Sequence, residues 1–231
     1  MDGAKRFQQD RIVDFMERVA APTPIIPAGG SVVALCGAIA ASLCQFVAHV
    51  SQKREKDPET LERLQWLAER LDALKLRCLD LMDEDAVAYE GLMRAMRLPK
   101  ATPEETSERE SALATAALVA MEPPLELARH GLEILRWALE LAERGHPAAR
   151  ADGQAAAEMA HACLKGAVRL ALAGLSDLRD PSLAERTRTS LRELETEGEL
   201  VWKGAGGDRQ ASRSHNRHPV IAHGPCRWPV T

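Results

Sequence analysis

Along most of this chain apolar residues return every three or four positions, the period of a helix that buries one face. The spacing predicts helices over residues 5–19, 31–52, 58–97, 103–121, 124–143, 152–175 and 181–202. Their ends carry signals of their own. Asp57-Pro58 reads as an N-cap followed by a first helical residue. Thr102-Pro103-Glu104-Glu105 repeats that signal with Glu105 placed for a capping box, and Asp180-Pro181 repeats it again. Pro123 and Pro124 separate the fourth helix from the fifth, and Gly145 ends the fifth. The expected fold class is all-α, a single-domain bundle of about seven helices with one long member, over residues 5–202. Residues 203–231 lose the period, turn basic and glycine-rich, and read as a disordered tail.

Composition narrows this picture. With 231 residues and 45% hydrophobic content the chain can bury one good core. Only 3% of residues are aromatic, which suits helices packed closely through Ala and Leu better than a sheet. A net charge of −4 argues against nucleic acid as a partner. The stretch Val32–Val50 is apolar and long, yet it is full of Ala, Gly, Ser and Cys and carries Gln45 and His49. It is expected to be a buried, tightly packed helix and not a membrane span. The N-terminus lacks the apolar core of a signal peptide, and the five cysteines are scattered, so a reduced, cytoplasmic setting is expected. His215-x-x-His218 and His223-x-x-Cys226 mimic ligand spacing but have no hydrophobic framework, so no metal site is assigned.

Candidate chemistry falls in four places. The loop Pro22–Pro27 leads through Ala28-Gly29-Gly30-Ser31 into a helix, a geometry that offers backbone N–H groups to an anion, with Ser31 as cap; a rigid connector would look the same. On the long third helix Asp85 occupies a position in an apolar seam where a leucine is expected. A carboxylate there requires a buried partner or a role in proton transfer, and Tyr89 follows one turn later on nearly the same face, while Asp83 points to solvent. Asp152, after the break Gly145-His146 through Arg150, is either a first-turn acid or a second reacting carboxylate. Lys53 and Arg54 complement a helix C-terminus and would also suit a ligand with several carboxylates, with Arg97 and Lys100 adding to the supply.

These pieces, in this order, resemble the cyclodeaminase/cyclohydrolase family: the C-terminal domain of formiminotransferase-cyclodeaminase and the stand-alone bacterial methenyltetrahydrofolate cyclohydrolases. The resemblance covers residues 10–195 and rests on Ala20-Ala21-Pro22 through Val32, Asp83 through Lys100, Pro123-Pro124-Leu125 and Gly145 through Asp152. Where relatives carry Asn-x-x-x-Asn on the sixth helix, this chain has Leu170 and Gly174. The resemblance implies an all-helical homodimer that binds a folate in a groove among its helices. It implies hydrolysis of 5,10-methenyltetrahydrofolate to 10-formyltetrahydrofolate, or closure of the formimidoyl derivative with loss of ammonia. No cofactor is implied beyond the tetrahydrofolate substrate. On these terms Asp85 and Asp152 are the catalytic candidates. Gly29, Gly30, Ser31, Lys53, Arg54, Tyr89 and Arg150 are the substrate-binding candidates. Two readings outside the enzyme class fit the same residues: a relative that binds another small anion or serves in assembly, and a bundle whose Asp85 fixes helix register.

Overall fold

A computed structural model describes residues 6–205. Among them there are six α-helices: α1 (Ile12–Ala20), α2 (Gly29–Gln52), α3 (Pro58–Met96), α4 (Pro103–Arg144), α5 (Arg150–Gly174) and α6 (Pro181–Gly204). The tail expected to be disordered lies outside the described residues from 206 onward, as do both histidine–cysteine spacings in it.

The capping signals set the boundaries. The Asp57 carboxylate accepts from Thr60 N–H at 2.9 Å, Thr102 and Glu105 form the reciprocal capping box, and Asp180 accepts from Ser182 and Leu183. Two expected boundaries fail. The fourth and fifth helices are one, because Pro123 and Pro124 sit inside α4. They remove the bonds to the carbonyls of Val119 and Ala120, a loss offset by burying both rings in the bundle. The N-terminal helix is shorter than expected: Phe7–Gln9 form one 3-10 turn, and Asp10 and Arg11 are extended before α1 begins. Asp83 anchors the N-terminal turn to α3. It is not left to solvent but accepts from Phe7 N–H at 2.6 Å and from Gln8 Nε2 at 3.0 Å.

α3 and α4 form a long antiparallel pair whose rim is laced in register. Arg63 meets Glu140 at 2.7 Å, Arg70 meets Glu133 at 3.7 Å and Arg77 meets Glu126 at 2.7 Å, each step moving seven residues along both helices. At the next step Glu84 would face Val119, the ladder stops, and Glu84 turns back to Arg77. Beyond that point the helices part around an open groove of about 1110 Å³.

α2 packs on α3, α5 and α4, and α6 closes over α5 and α4. Small residues set the spacing. Ala34, Ala38, Ala41, Cys44 and Ala48 of α2 and Ala156, Ala160, Ala167 and Ala171 of α5 are buried. A Cβ on Gly131 would lie 2.7 Å from the backbone nitrogen of Leu164, so α4 meets α5 backbone to backbone there. α2 is less buried than its composition suggested: its most apolar window is 50% buried, and Val32, Ile39 and Phe46 face outward.

Candidate active site

The buried surroundings of Asp85 are built from α2 and α3. Helix α2 starts at Gly29 with Ala28 as its N-cap, and no side chain caps it. Ser31 therefore does not perform the capping role expected of it. It is fully buried, and its Oγ donates to the Met82 carbonyl of α3 at 3.0 Å. The same Oγ lies 3.4 Å from Asp85 Oδ2. Gly30 is buried, and a Cβ there would fall inside the Asp85 carboxylate group. Asp85 thus rests directly on the first turn of α2, where free N–H groups and the helix dipole favour negative charge.

Two opposed influences act on this carboxylate. Burial pushes its pKa above the usual carboxylate range, and hydrogen bonds from the Ser31 side chain and backbone pull it back. The Ser31 hydroxyl has two acceptors in reach, Asp85 Oδ2 at 3.4 Å and the Met82 carbonyl at 3.0 Å; turned to the first it donates to the carboxylate, and turned to the second it leaves lone pairs for a protonated carboxyl group. The site is equipped to hold Asp85 in either protonation state.

Around Asp85, Tyr89 is 37% exposed one turn on. Leu170 of α5 closes over Gly29, with Cδ2 3.4 Å from where a Cβ would sit, and Gly174 meets Met121. Of the two positions on α5 that differ from the expected asparagines, Leu170 therefore stands against the start of α2 and Gly174 against α4. Gly30 and Ser31, expected to hold ligand oxygens, are buried and stand against Asp85.

The remaining expected residues stand elsewhere. Lys53 and Arg54 are exposed at the far end of α2, where Ser51 Oγ accepts from His146 N–H at 2.8 Å. Arg150 and Asp152 open α5 at that same end, and Asp152 is a first-turn acid. At about 1.5 Å of rise per residue, roughly 27 Å of helix separates Asp152 from Leu170. Within one chain Asp152 and the three cations do not join Asp85.

The groove between α3 and α4 has no counterpart in the expected site. Glu84, Ala88, Gly91 and Ala95 line it from α3, so it runs beside Asp85 without receiving its side chain. Along its wall Arg77 lies between Glu84 and Glu126, and Glu126 also meets His130 at 3.0 Å. The Arg77 guanidinium first, and His130 second, hold the Glu126 carboxyl down at about 2 against the cost of burial. The seven-residue spacing of Arg63, Arg70 and Arg77 was the available signal for this rim; the groove depends on where the helices diverge. Among the described residues no group of three or more His, Cys, Asp or Glu side chains converges as a metal site.

The sequence profile described as formiminotransferase-cyclodeaminase matches residues 11–193. The chain belongs to this family. It is 31% identical over 179 residues to the formimidoyltransferase-cyclodeaminase of Rattus norvegicus, covering 76% of this chain and 33% of that protein. The chain therefore spans about a third of the length of that relative. It is 29% identical over 200 residues to the methenyltetrahydrofolate cyclohydrolase of Methylorubrum extorquens, covering 87% of this chain and 93% of that one. The solved formiminotetrahydrofolate cyclodeaminase of Thermotoga maritima superposes with a TM-score of 0.75 at 23% identity, over 89% of this chain and 98% of that one. At that identity the superposition establishes the shared all-helical fold.

Proposed function

We propose that this protein hydrolyses 5,10-methenyltetrahydrofolate to 10-formyltetrahydrofolate, with Asp85 as the general base and acid. The observation that carries this reading is the Asp85 carboxylate, largely buried on the first turn of α2 with its pKa raised. The match along nearly the full length of a cyclohydrolase supports the reaction class.

The methenyl bridge carbon is a cation shared between two nitrogens, so water can attack it without a metal. Asp85 takes a proton from the attacking water, and its negative charge stabilises the cationic carbon beforehand. The new C–O bond makes a tetrahedral carbon. Its bond to N5 then breaks as Asp85 returns the proton to that nitrogen, while the remaining hydroxyl proton passes to solvent and the oxygen becomes the carbonyl of the formyl group left on N10, so that one proton is released overall. A carboxyl group whose pKa is raised by burial suits both steps better than an ordinary surface aspartate. Tyr89 lies one turn beyond and offers an aromatic face to the flat pteridine. No separate cofactor is required. A homodimer in a cytoplasmic setting belongs to the same reading.

The alternative is cyclisation of the formimidoyl derivative with loss of ammonia, favoured by the identity to formimidoyltransferase-cyclodeaminases. Asp85 would then protonate the departing amine. Following the methenyl chromophore decides between the reactions. Hydrolysis makes it disappear from 5,10-methenyltetrahydrofolate; cyclodeamination makes it appear from the formimidoyl substrate with ammonia release. Asp85→Asn keeps the shape and removes the base, so turnover should fall by about 10²-fold or more, with a far-ultraviolet dichroism spectrum like that of the wild type. Full activity in Asp85→Asn would refute the assignment.

A further inference from the structure

Beyond the last rung of the Arg–Glu ladder, the groove between α3 and α4 is open and its lining is of two kinds. The floor is apolar and made of small side chains: Ala88 and Ala95 come from α3, Ala112 and Ala116 from α4, and Val87 and Val119 stand 50% and 46% exposed beside them. The margin is acidic. Six carboxylates line the groove against the three arginines Arg6, Arg77 and Arg94, and Arg77 is already held between Glu84 and Glu126. Glu108 and Glu122 add to the margin from exposed positions on α4. An apolar channel of about 1110 Å³ with an acidic margin fits an elongated basic segment that also carries apolar side chains.

The residues that follow Ala205 have that character. Between 206 and 231 the sequence has Arg209, Arg213, Arg217 and Arg227 against the single acid Asp208, and its apolar residues include Val220, Ile221 and Trp228. The residues before Arg6 offer no such match, since Asp2 balances Lys5. The path from α6 to the groove is short. Trp202, Gly204 and Ala205 lie beside Leu139 and Glu140 of α4, and Glu140 is the carboxylate that meets Arg63 at the first rung of the ladder. From there the rim runs through Glu133 to Glu126, which lines the groove. Leu139 to Glu126 is roughly 20 Å of helix, a distance that an extended chain covers in about six residues. Arg213 and Arg217 therefore reach the carboxylates, and Val220 and Ile221 follow onto the apolar floor.

We propose that residues 206–231 of this chain dock in the groove between α3 and α4, with their arginines on its acidic margin and their apolar side chains on its floor. Each guanidinium can meet a carboxylate through two parallel N–H donors. One such pair at a surface contributes little. Several along one segment act together, because after the first contact the others form within the same chain. Covering the alanine and valine floor removes apolar surface from water and adds a part of the attraction that salt does not screen. The docking rests on the groove and its charge and is independent of the reading of Asp85, whose side chain the groove does not receive.

A protease specific for arginine tests this in the full-length protein, because the segment carries its own cleavage sites. Cutting after Arg213 and Arg217, followed by mass spectrometry, should be about tenfold slower in the wild type than in the double variant Glu108→Lys, Glu122→Lys, since cleavage follows the population of the undocked segment. Both substitutions fall at exposed positions, so helical dichroism should be unchanged. Glu69→Lys, exposed and outside the groove, should be cut at the wild-type rate. Equal rates in the wild type and the double variant overturn the proposal. If both are fast, the groove is left to a basic segment of another protein; if both are slow, a different surface shields these arginines. Proximity is read in full-length protein carrying Ala112→Cys and Val220→Cys, oxidised by dissolved oxygen with a copper catalyst. Peptide mapping should find a disulfide between positions 112 and 220 in material that runs at the single 25.2 kDa chain mass on a denaturing gel. The same bond at twice that mass would put the segment in a neighbouring chain's groove, and no bond would put it elsewhere; either result overturns the proposal.

Discussion

Asp85 illustrates how one residue's meaning depends on what folds against it. Its place in an apolar seam of α3 is visible in the sequence, and a charge there required an explanation. The explanation is tertiary: the start of α2 lies on it, Gly30 leaves room for the carboxylate, and Ser31 bonds both Met82 and Asp85. Gly30→Ala would place a methyl group where the carboxylate sits. That substitution should cost about 1–3 kcal/mol of stability, seen as a lower Tm, and should also lower kcat although residue 30 is covered. An unchanged kcat would mean that the carboxylate can move freely without consequence, which a reacting group cannot. Asp83 is the contrasting case: it was read as a solvated neighbour, yet it anchors the N-terminal segment through Phe7 and Gln8. Neither partner lies within seventy residues of it in sequence, so no local pattern could have named them.

At the scale of elements, caps were legible and continuity was not. Asp57, Thr102 and Asp180 act within one turn of their own helix, so the local sequence contains both partners of each bond. Pro123 and Pro124 mark a break in any isolated helix, but α4 passes through them with both rings buried in the bundle. The close contact between α4 and α5 at Gly131 is of the same kind. Gly131→Val should force the two backbones apart, lowering Tm by more than about 5 °C, given roughly 2–4 °C per kcal/mol for a chain of this size. A thermal melt followed by dichroism at 222 nm measures it, and a shift under one degree would mean that the helices are not held in contact there.

For the whole molecule, the Arg–Glu rim of α3 and α4 links stability to pH. Glu126 has its folded-state pKa lowered to about 2, below its unfolded value, so its contribution is present above the unfolded value and is lost as pH falls through the range from about 5 to about 2. Burial gives Asp85 the opposite sign: its protonated form is favoured by folding, and that contribution fades as pH rises through its raised value. Melting curves between pH 3 and pH 7, a span set by these ranges, should be flatter in Glu126→Gln than in the wild type over the acid limb; equal slopes would mean that the rim adds nothing to acid stability. The all-helical class, the caps, the one-domain span and the seam carboxylate were set by the sequence alone, because periodicity and capping act within a few residues. Only the tertiary structure decided that Gly30 and Ser31 serve Asp85, that Lys53, Arg54, Arg150 and Asp152 stand at the other end of α2, and that α3 and α4 part where their ladder runs out. Those outcomes depend on how antiparallel helices are brought into register, and register is fixed by small residues and ion pairs far apart along the chain.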